Sequence, residues 1–257
     1  ITGAGGVIGA AIAKEFYSQG AEIVCIDLSK ESAKKTAIMC GSNAIALDCD
    51  VTNKKHLQKA FNDIIYNYGG LDILISNAGS AWEGELSILD DYILEKSMKL
   101  NFYAHHYASQ QAIEIFKKQD YLVSQTHEKL GGQLLFNISK QALNPGKGFG
   151  AYGISKSALL ALMKQYALEE GSSMIRSNGV NADRIKSGLL NDDMIRNRSK
   201  ARGLSKAEYM SGNLLQSEVK PEDVAKAFSN LALMKKTTGA IITCLLYTSD
   251  AADELTS

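Results

Sequence analysis

Short apolar runs that alternate with longer stretches of helical periodicity restrict this chain more than any other feature. Residues 22–27, 43–49, 71–76, 133–138, 175–181 and 238–243 each have the length and composition of a strand. The run at 71–76 is almost wholly apolar, as a strand covered on both faces must be. Helices are predicted between them: residues 10–19, stopped by Gly20; 29–39, with Ser29 as N-cap; 53–68, apolar at Leu57, Phe61, Ile64 and Ile65 and closed by Gly69-Gly70. Beyond Asp90 a long helix is predicted to about residue 118, followed by an irregular polar excursion at 119–129. A further helix runs to about residue 170, and Pro221 opens the last. Strands and helices in this alternation predict an α/β chain with a doubly wound parallel sheet. With 257 residues and 45% hydrophobic content, the chain can bury one substantial core in a single domain.

Charge narrows the partners. Lys and Arg number 28, Asp and Glu also 28, so no net field favours nucleic acid or an anionic membrane surface. The longest apolar runs are far too short to span a bilayer. Neither nucleic acid nor membrane is expected as a partner. Cys25, Cys40, Cys49 and Cys244 lack metal-ligand spacing, and Cys25 and Cys49 sit in apolar runs as small hydrophobes; no metal is expected, and a reducing cytoplasm is. The adjacent His105 and His106 read as helix-surface or subunit-contact residues. The chain opens on Ile1-Thr2-Gly3, where a strand should precede the turn, and so reads as cut at its amino end. Residues 244–257 change character and resemble translated adapter sequence, which leaves 1–243 as the native domain.

Thr2-Gly3-Ala4-Gly5-Gly6-Val7-Ile8-Gly9 leads directly into the first helix. Glycines at a strand-to-helix turn let the backbone approach a pyrophosphate, and the free amides of the helix N-terminus attract its charge. Asp27 ends the next strand, 24 residues after Gly3, where a dinucleotide fold places the acid that binds the adenosine ribose. A carboxylate there repels a 2′-phosphate, so NAD is favoured over NADP. Asn77-Ala78-Gly79 stands at the carboxyl end of the strand at 71–76, on the side where such sheets bind ligands.

Tyr152 and Lys156 are four apart on a predicted helix and so share one face, with an ammonium beside a phenol. A neighbouring positive charge should lower the phenol's pKa toward neutrality, as a general acid/base for an alcohol or ketone requires. Ser139 lies thirteen residues upstream, at the end of a predicted strand. Residues 182–203 are polar, without clear periodicity, and read as a mobile flap.

Taken together, Thr2-Gly3 to Gly9, Asp27, Asp50-Val51, Asn77-Ala78-Gly79, Asn101, Ser139 and Tyr152-x-x-x-Lys156 resemble the short-chain dehydrogenase/reductase family over residues 1–243. The resemblance implies a Rossmann-like domain, here without its first strand, in a homodimer or homotetramer. It implies Tyr152 as general acid/base, Lys156 lowering its pKa and holding the nicotinamide ribose, Ser139 on the substrate oxygen, and Asn101 holding a relay water. Thr2, Gly3, Gly6, Val7, Ile8 and Gly9 would form the pyrophosphate turn. Asp27 and Leu28 would meet the adenosine ribose, Asp50 and Val51 the adenine. Asn77, Ala78 and Gly79 would pack against the cofactor, and Ile185 and Ser187, with Tyr152 and Lys156, would contact its nicotinamide end.

Val7 stands where the family pattern has glycine, and Ala182-Asp183 where it has Pro-Gly. Read as Gly3, Gly6 and Gly9, the turn also fits the extended, epimerase- or dehydratase-like branch. A non-catalytic dinucleotide-binding regulator is a third reading, against which Asn101, Ser139, Tyr152 and Lys156 together argue. Residues 136–147 and 180–185 also look like the dehydrogenase half of proteins fused to a class II aldolase of the rhamnulose-phosphate type. That likeness implies carbohydrate metabolism, with a polyol, sugar or hydroxy-aldehyde as the small-molecule substrate. Lys140, Lys147, Arg184 and Lys186 then become candidates to meet a phosphate or carboxylate, although solvated surface charge is the stronger reading.

Overall fold

The computed structural model describes residues 1–123, 131–188 and 190–244. Six strands lie in them: β1 (Val24–Asp27), β2 (Ile45–Asp48), β3 (Ile73–Ser76), β4 (Gly132–Asn137), β5 (Ile175–Ala182) and β6 (Ile241–Cys244). β1 pairs with β2, and β3, β4, β5 and β6 pair in that order, all parallel. Ile1 and Thr2 bridge the two sets: the Thr2 amide donates to Ile75 O at 3.0 Å and the Ile26 amide to Ile1 O at 2.9 Å. Strand order therefore runs outward in both directions from residues 1–2, the doubly wound arrangement that the alternation predicts. Below Ile1, the gap between β1 and β3 holds a cavity of about 680 Å³ lined by Val24, Ile26, Phe61 and Leu74.

Helices cover both faces because their apolar stripes allow it. α3 (Lys54–Tyr68), α5 (Ala104–Val123) and α6 (Gly150–Glu170) pack on one face, burying Leu57, Phe61, Phe116, Leu159 and Met163 against Leu134 and Phe136. α1 (Val7–Ser18), α2 (Lys30–Met39) and α9 (Pro221–Leu233) cover the other, through Ile12, Phe16, Ala33, Val224 and Phe228. Each fully buried phenylalanine contributes about 1.5–3 kcal/mol, so these two layers hold the sheet. The caps are local: Ser29 accepts from the Ser32 amide, Asn53 from Lys55 and His56, and Gly69, at φ +76°, ends α3. Ile65, expected on the buried stripe of α3, is 41% exposed because the stripe runs through Leu57, Ala60, Phe61 and Ile64.

Four expectations change. The helix after Asp90 is not continuous: α4 (Asp91–Met98) passes into a π-helical segment, Lys99–Tyr103, before α5 begins. The polar excursion starts later than predicted, since Gln119 is still in α5 and exchanges two hydrogen bonds with the Leu71 backbone, at 2.8 and 2.9 Å. Residues 124–130 lie outside the described residues. His105 is buried rather than at the helix surface, its Nδ1 2.7 Å from Ser76 Oγ, and His106 Nδ1 meets the Tyr166 hydroxyl at 2.7 Å. Burial, reinforced by the nearby Lys156, holds His105 well below the usual imidazole range, and so neutral. Finally, the segment read as an irregular flap contains α7 (Asp192–Ala201), followed by α8 (Lys206–Met210). Leu190, Ile195, Tyr209 and Met210 form a small apolar cluster of their own beneath it. The last strand includes Cys244, and the tail at 245–257 lies outside the described residues.

Candidate active site

A cleft of about 460 Å³ opens at the carboxyl ends of the strands, at the switch in strand order. At one end stands the glycine turn. Gly9 is required there: a Cβ on it would lie 2.2 Å from Gly3 O. Gly5 is pinned likewise, because a Cβ would meet Ser32 Cβ at 2.4 Å, and its amide donates to Asp27 Oδ2 at 2.9 Å. Asp27 also accepts from the Ser29 amide at 3.0 Å, so the strand-end carboxylate braces the turn as well as facing the cleft. No side chain caps α1, and Val7, Ile8 and Gly9 of its first turn line the cleft. Val7, where the family pattern has glycine, is 47% exposed and needs no space that is missing. A turn of this kind, with uncapped amides and an acid beside it, fits the pyrophosphate and ribose of a dinucleotide.

At the other end lie Tyr152 and Lys156, one turn apart on α6 and both buried. Lys156 Nζ donates to Asn137 O at 2.8 Å and stands 5.8 Å from the centroid of the Tyr152 ring. Ser139, in extended backbone at the end of β4, shares a hydrogen bond with the phenol and accepts from the Gln141 amide at 3.2 Å. The two ends are wired together. Asn137 Nδ2 donates to Asn77 Oδ1 at 2.8 Å, Asn77 Nδ2 donates to Thr2 O and Gly3 O, and Thr2 Oγ1 accepts from the amides of Asn77 and Ala78. Asn137 carries both links, yet its sequence offers only a polar residue ending a strand.

The phenol does not behave as the Tyr-Lys spacing suggested. Burial pushes Tyr152 up to about 12, with the Ser139 hydrogen bond pulling the other way, and burial brings Lys156 down to about 7. Spacing fixed their proximity, but removal from water acts on both groups and is the largest influence on each.

The cleft lining includes Gly3, Gly6, Val7, Ile8, Gly9, Asp27, Asn77, Ala78, Gly79, Ser139, Tyr152, Lys156, Ile185 and Ser187, all expected from the sequence. Five expected residues lie off it. Thr2 is 2% exposed and spent on Asn77 and Ala78. Leu28 is 77% exposed, beyond the end of β1. Asp50 accepts from the amide and hydroxyl of Thr52, closing the turn into α3, and Val51 is packed in the core. Asn101 is fully buried in the π segment, its side chain committed to the Ser80 backbone at 2.8 and 3.1 Å and to Ser97 Oγ at 3.1 Å. It still stands near the reaction end, since a Cβ on Gly79 would lie 2.9 Å from Asn101 Oδ1 and 3.6 Å from Lys156 Nζ.

A doubly wound sheet, an anion-ready glycine turn and a buried phenol beside an amine define an oxidoreductase of the nicotinamide-dependent class. The model of the short chain dehydrogenase family matches residues 1–197, and the chain belongs to that family. Among curated proteins it is 30% identical to the uncharacterized oxidoreductase YuxG of Bacillus subtilis, over 95% of this chain and 36% of that protein. It spans about a third of that relative's length. It is 29% identical to (+)-borneol dehydrogenase 1 of Salvia officinalis, over 90% of this chain and 85% of that one. It is 30% identical to the 7alpha-hydroxysteroid dehydrogenase of Escherichia coli, over 70% and 68%. Among solved structures, a 3-ketoacyl-(acyl-carrier-protein) reductase from Brucella melitensis, complexed with NADH, superposes with TM-score 0.84 at 23% identity, covering 95% of each chain.

Proposed function

We propose that this chain is an NAD-dependent dehydrogenase acting on a polyol, sugar or hydroxy-aldehyde. The observation that carries the reading is one cleft with the Asp27-braced glycine turn at one end and the Ser139, Tyr152, Lys156 group at the other. NAD, when bound, supplies or takes up the hydride. Tyr152 exchanges a proton with the substrate oxygen, and Ser139 holds that oxygen by a hydrogen bond. Lys156, tied to Asn137, carries charge beside the phenol and holds the nicotinamide ribose. Asn101 serves from behind, where its loosened helical turn holds a water that relays protons toward Lys156. Gly3, Gly6 and the first turn of α1 hold the pyrophosphate; Ile185 and Ser187 face the nicotinamide. The protein works as a homodimer or homotetramer in the cytoplasm. The likeness to aldolase-fused dehydrogenases supports a sugar-derived substrate.

The test is absorbance at 340 nm with NAD and a panel of polyols and hydroxy-aldehydes, run in both directions. Cofactor-dependent turnover of at least one compound is expected; NAD binding without turnover of any would favour the regulator reading instead.

Asp27 sets the cofactor. Each of its oxygens accepts one backbone N–H and keeps a lone pair for a ribose hydroxyl, while its charge repels a 2′-phosphate. Asp27→Ala is expected to narrow the preference for NAD over NADP by about tenfold, the size of one lost charge-assisted contact. The ratio of the two kcat/KM values is the quantity to measure, because any loosening of the turn weakens both cofactors alike. An unchanged ratio would remove Asp27 from cofactor selection.

A further inference from the structure

The reaction end of the cleft is strongly basic. Met194, Arg198 and Arg202 follow one another at four-residue steps along α7 and its C-cap, so one stripe of that helix faces the cleft while Ile195 and Ser199 are buried. With Lys140, Lys147, Lys156 and Arg184, six cationic side chains line the cleft among the described residues, against the carboxylates Asp27 and Asp183. Asp27 belongs to the glycine turn, and Asp183 is met by Lys140 at 3.4 Å. The cleft thus carries more positive than negative side chains, with Lys156 one turn from Tyr152 and Arg198 on the ring that meets it.

Aromatic rings hold two of the arginines in place. Phe149 meets Tyr152 edge to face, with centroids 6.4 Å apart, and the Arg198 guanidinium lies 4.0 Å over the same Phe149 ring. Arg198 also meets Glu83 Oε1, with Nε at 3.2 Å. One turn on, Arg202 lies 5.5 Å over the Tyr209 ring. A guanidinium stacked on a ring is held flat and presents its N–H edge sideways, which is how arginine receives carboxylates and phosphates. The Arg198 side chain is 22% exposed and the Glu83 side chain 47%, so the carboxylate is the member of the pair that water can readily take back.

From this geometry we infer that the cleft takes a substrate with an anionic end, a phosphate or carboxylate on the carbonyl or hydroxy compound, and that Arg198 receives it by exchanging Glu83 for the substrate's anion, with Arg202 beside it. This rests on the dehydrogenase reading and narrows its substrate class. In the reducing direction Tyr152 would give its proton to the carbonyl oxygen as the carbon takes the hydride that a bound NADH would supply, so that an alcohol and NAD⁺ result. The phenolate then regains a proton from solvent, and the anionic group is unchanged.

Two matched pairs test this with NADH: D-glyceraldehyde against D-glyceraldehyde 3-phosphate, and butanal against succinic semialdehyde. The anionic member of at least one pair should show a kcat/KM at least tenfold higher, and which pair does so distinguishes phosphate from carboxylate. Arg198→Met should bring that ratio close to one, and Glu83→Gln should lower KM for the anionic member alone. Calorimetric titration of the NADH-loaded wild type and Arg198→Met with 3-phosphoglycerate and with succinate gives a readout without turnover. Turnover of neutral aldehydes with no preference for their anionic partners would overturn the inference and leave the dehydrogenase reading intact. Anion binding that depends on Arg198, with no aldehyde reduced, would support the anionic subsite and overturn the dehydrogenase reading. Neither turnover nor Arg198-dependent binding would overturn both.

Discussion

Tyr152→Phe should lower turnover about a thousandfold in both directions while cofactor affinity changes by no more than about threefold. The first figure is what removal of a positioned general acid/base costs. The second follows from shape: phenylalanine keeps the ring that packs on Phe149 and loses one hydroxyl, whose hydrogen bond to Ser139 is worth about 1 kcal/mol. Folding and the glycine turn should therefore survive, and fluorescence titration with NADH checks that they do. The pH dependence carries a sign. With the phenol raised to about 12, Tyr152 is protonated throughout the neutral range, so carbonyl reduction, which needs the acid, should change little through this group. Alcohol oxidation needs the phenolate, so its rate should rise with pH across the same range. A variant that retains full turnover, or an oxidation rate that falls as pH rises, would take the proton transfer away from Tyr152.

The parts of the site legible in the sequence are those held by local geometry. Tyr152 and Lys156 share a face because α6 is unbroken between them, and Asp27 meets the glycine turn because a four-residue strand returns the chain to it. Parallel strands were legible for the same reason: β3 and β4 are short apolar runs that need cover on both sides. What stayed hidden depends on contacts far apart in sequence. Asn137 matters through Asn77, 60 residues away, and His105 is buried by Ser76, 29 residues away. α7 escaped because only Ile195 and Ser199 are buried along its ten residues, too thin a stripe to register as periodicity. Arg198 escaped with it, since its partners Glu83 and Phe149 come from other loops. Burial raises the phenol's pKa where the Tyr-Lys spacing alone points downward, because spacing says nothing of desolvation. Asp50 and Val51 rest on resemblance alone; Asp50 closes the turn into α3 and Val51 packs in the core.

Lys156→Met should make the protein more stable at neutral pH as it loses at least about a hundredfold in turnover. Lys156 is 2% exposed, and burial brings its amine down to about 7 from the ordinary 10.5. Between those two values the unfolded chain binds more protons than the folded one, so stability rises with pH; below about 7 the folded state carries the whole cost of a buried ammonium. At neutral pH that cost is on the order of 4 kcal/mol. Methionine nearly matches the side chain in volume and carries no charge, so the substitution removes the cost. Against this stands the Asn137 carbonyl, left without its donor at about 1–3 kcal/mol. Desolvation wins by roughly 1–2 kcal/mol, which urea unfolding at pH 7 resolves, and the advantage should disappear near pH 10, where the lysine is neutral in the folded state and the remaining cost, about 1 kcal/mol, no longer exceeds that of the orphaned carbonyl. A residue whose removal strengthens the fold and weakens the reaction is retained for its chemistry. Loss of stability at pH 7 would instead make Lys156 a strut between α6 and β4, with its nearness to Tyr152 incidental.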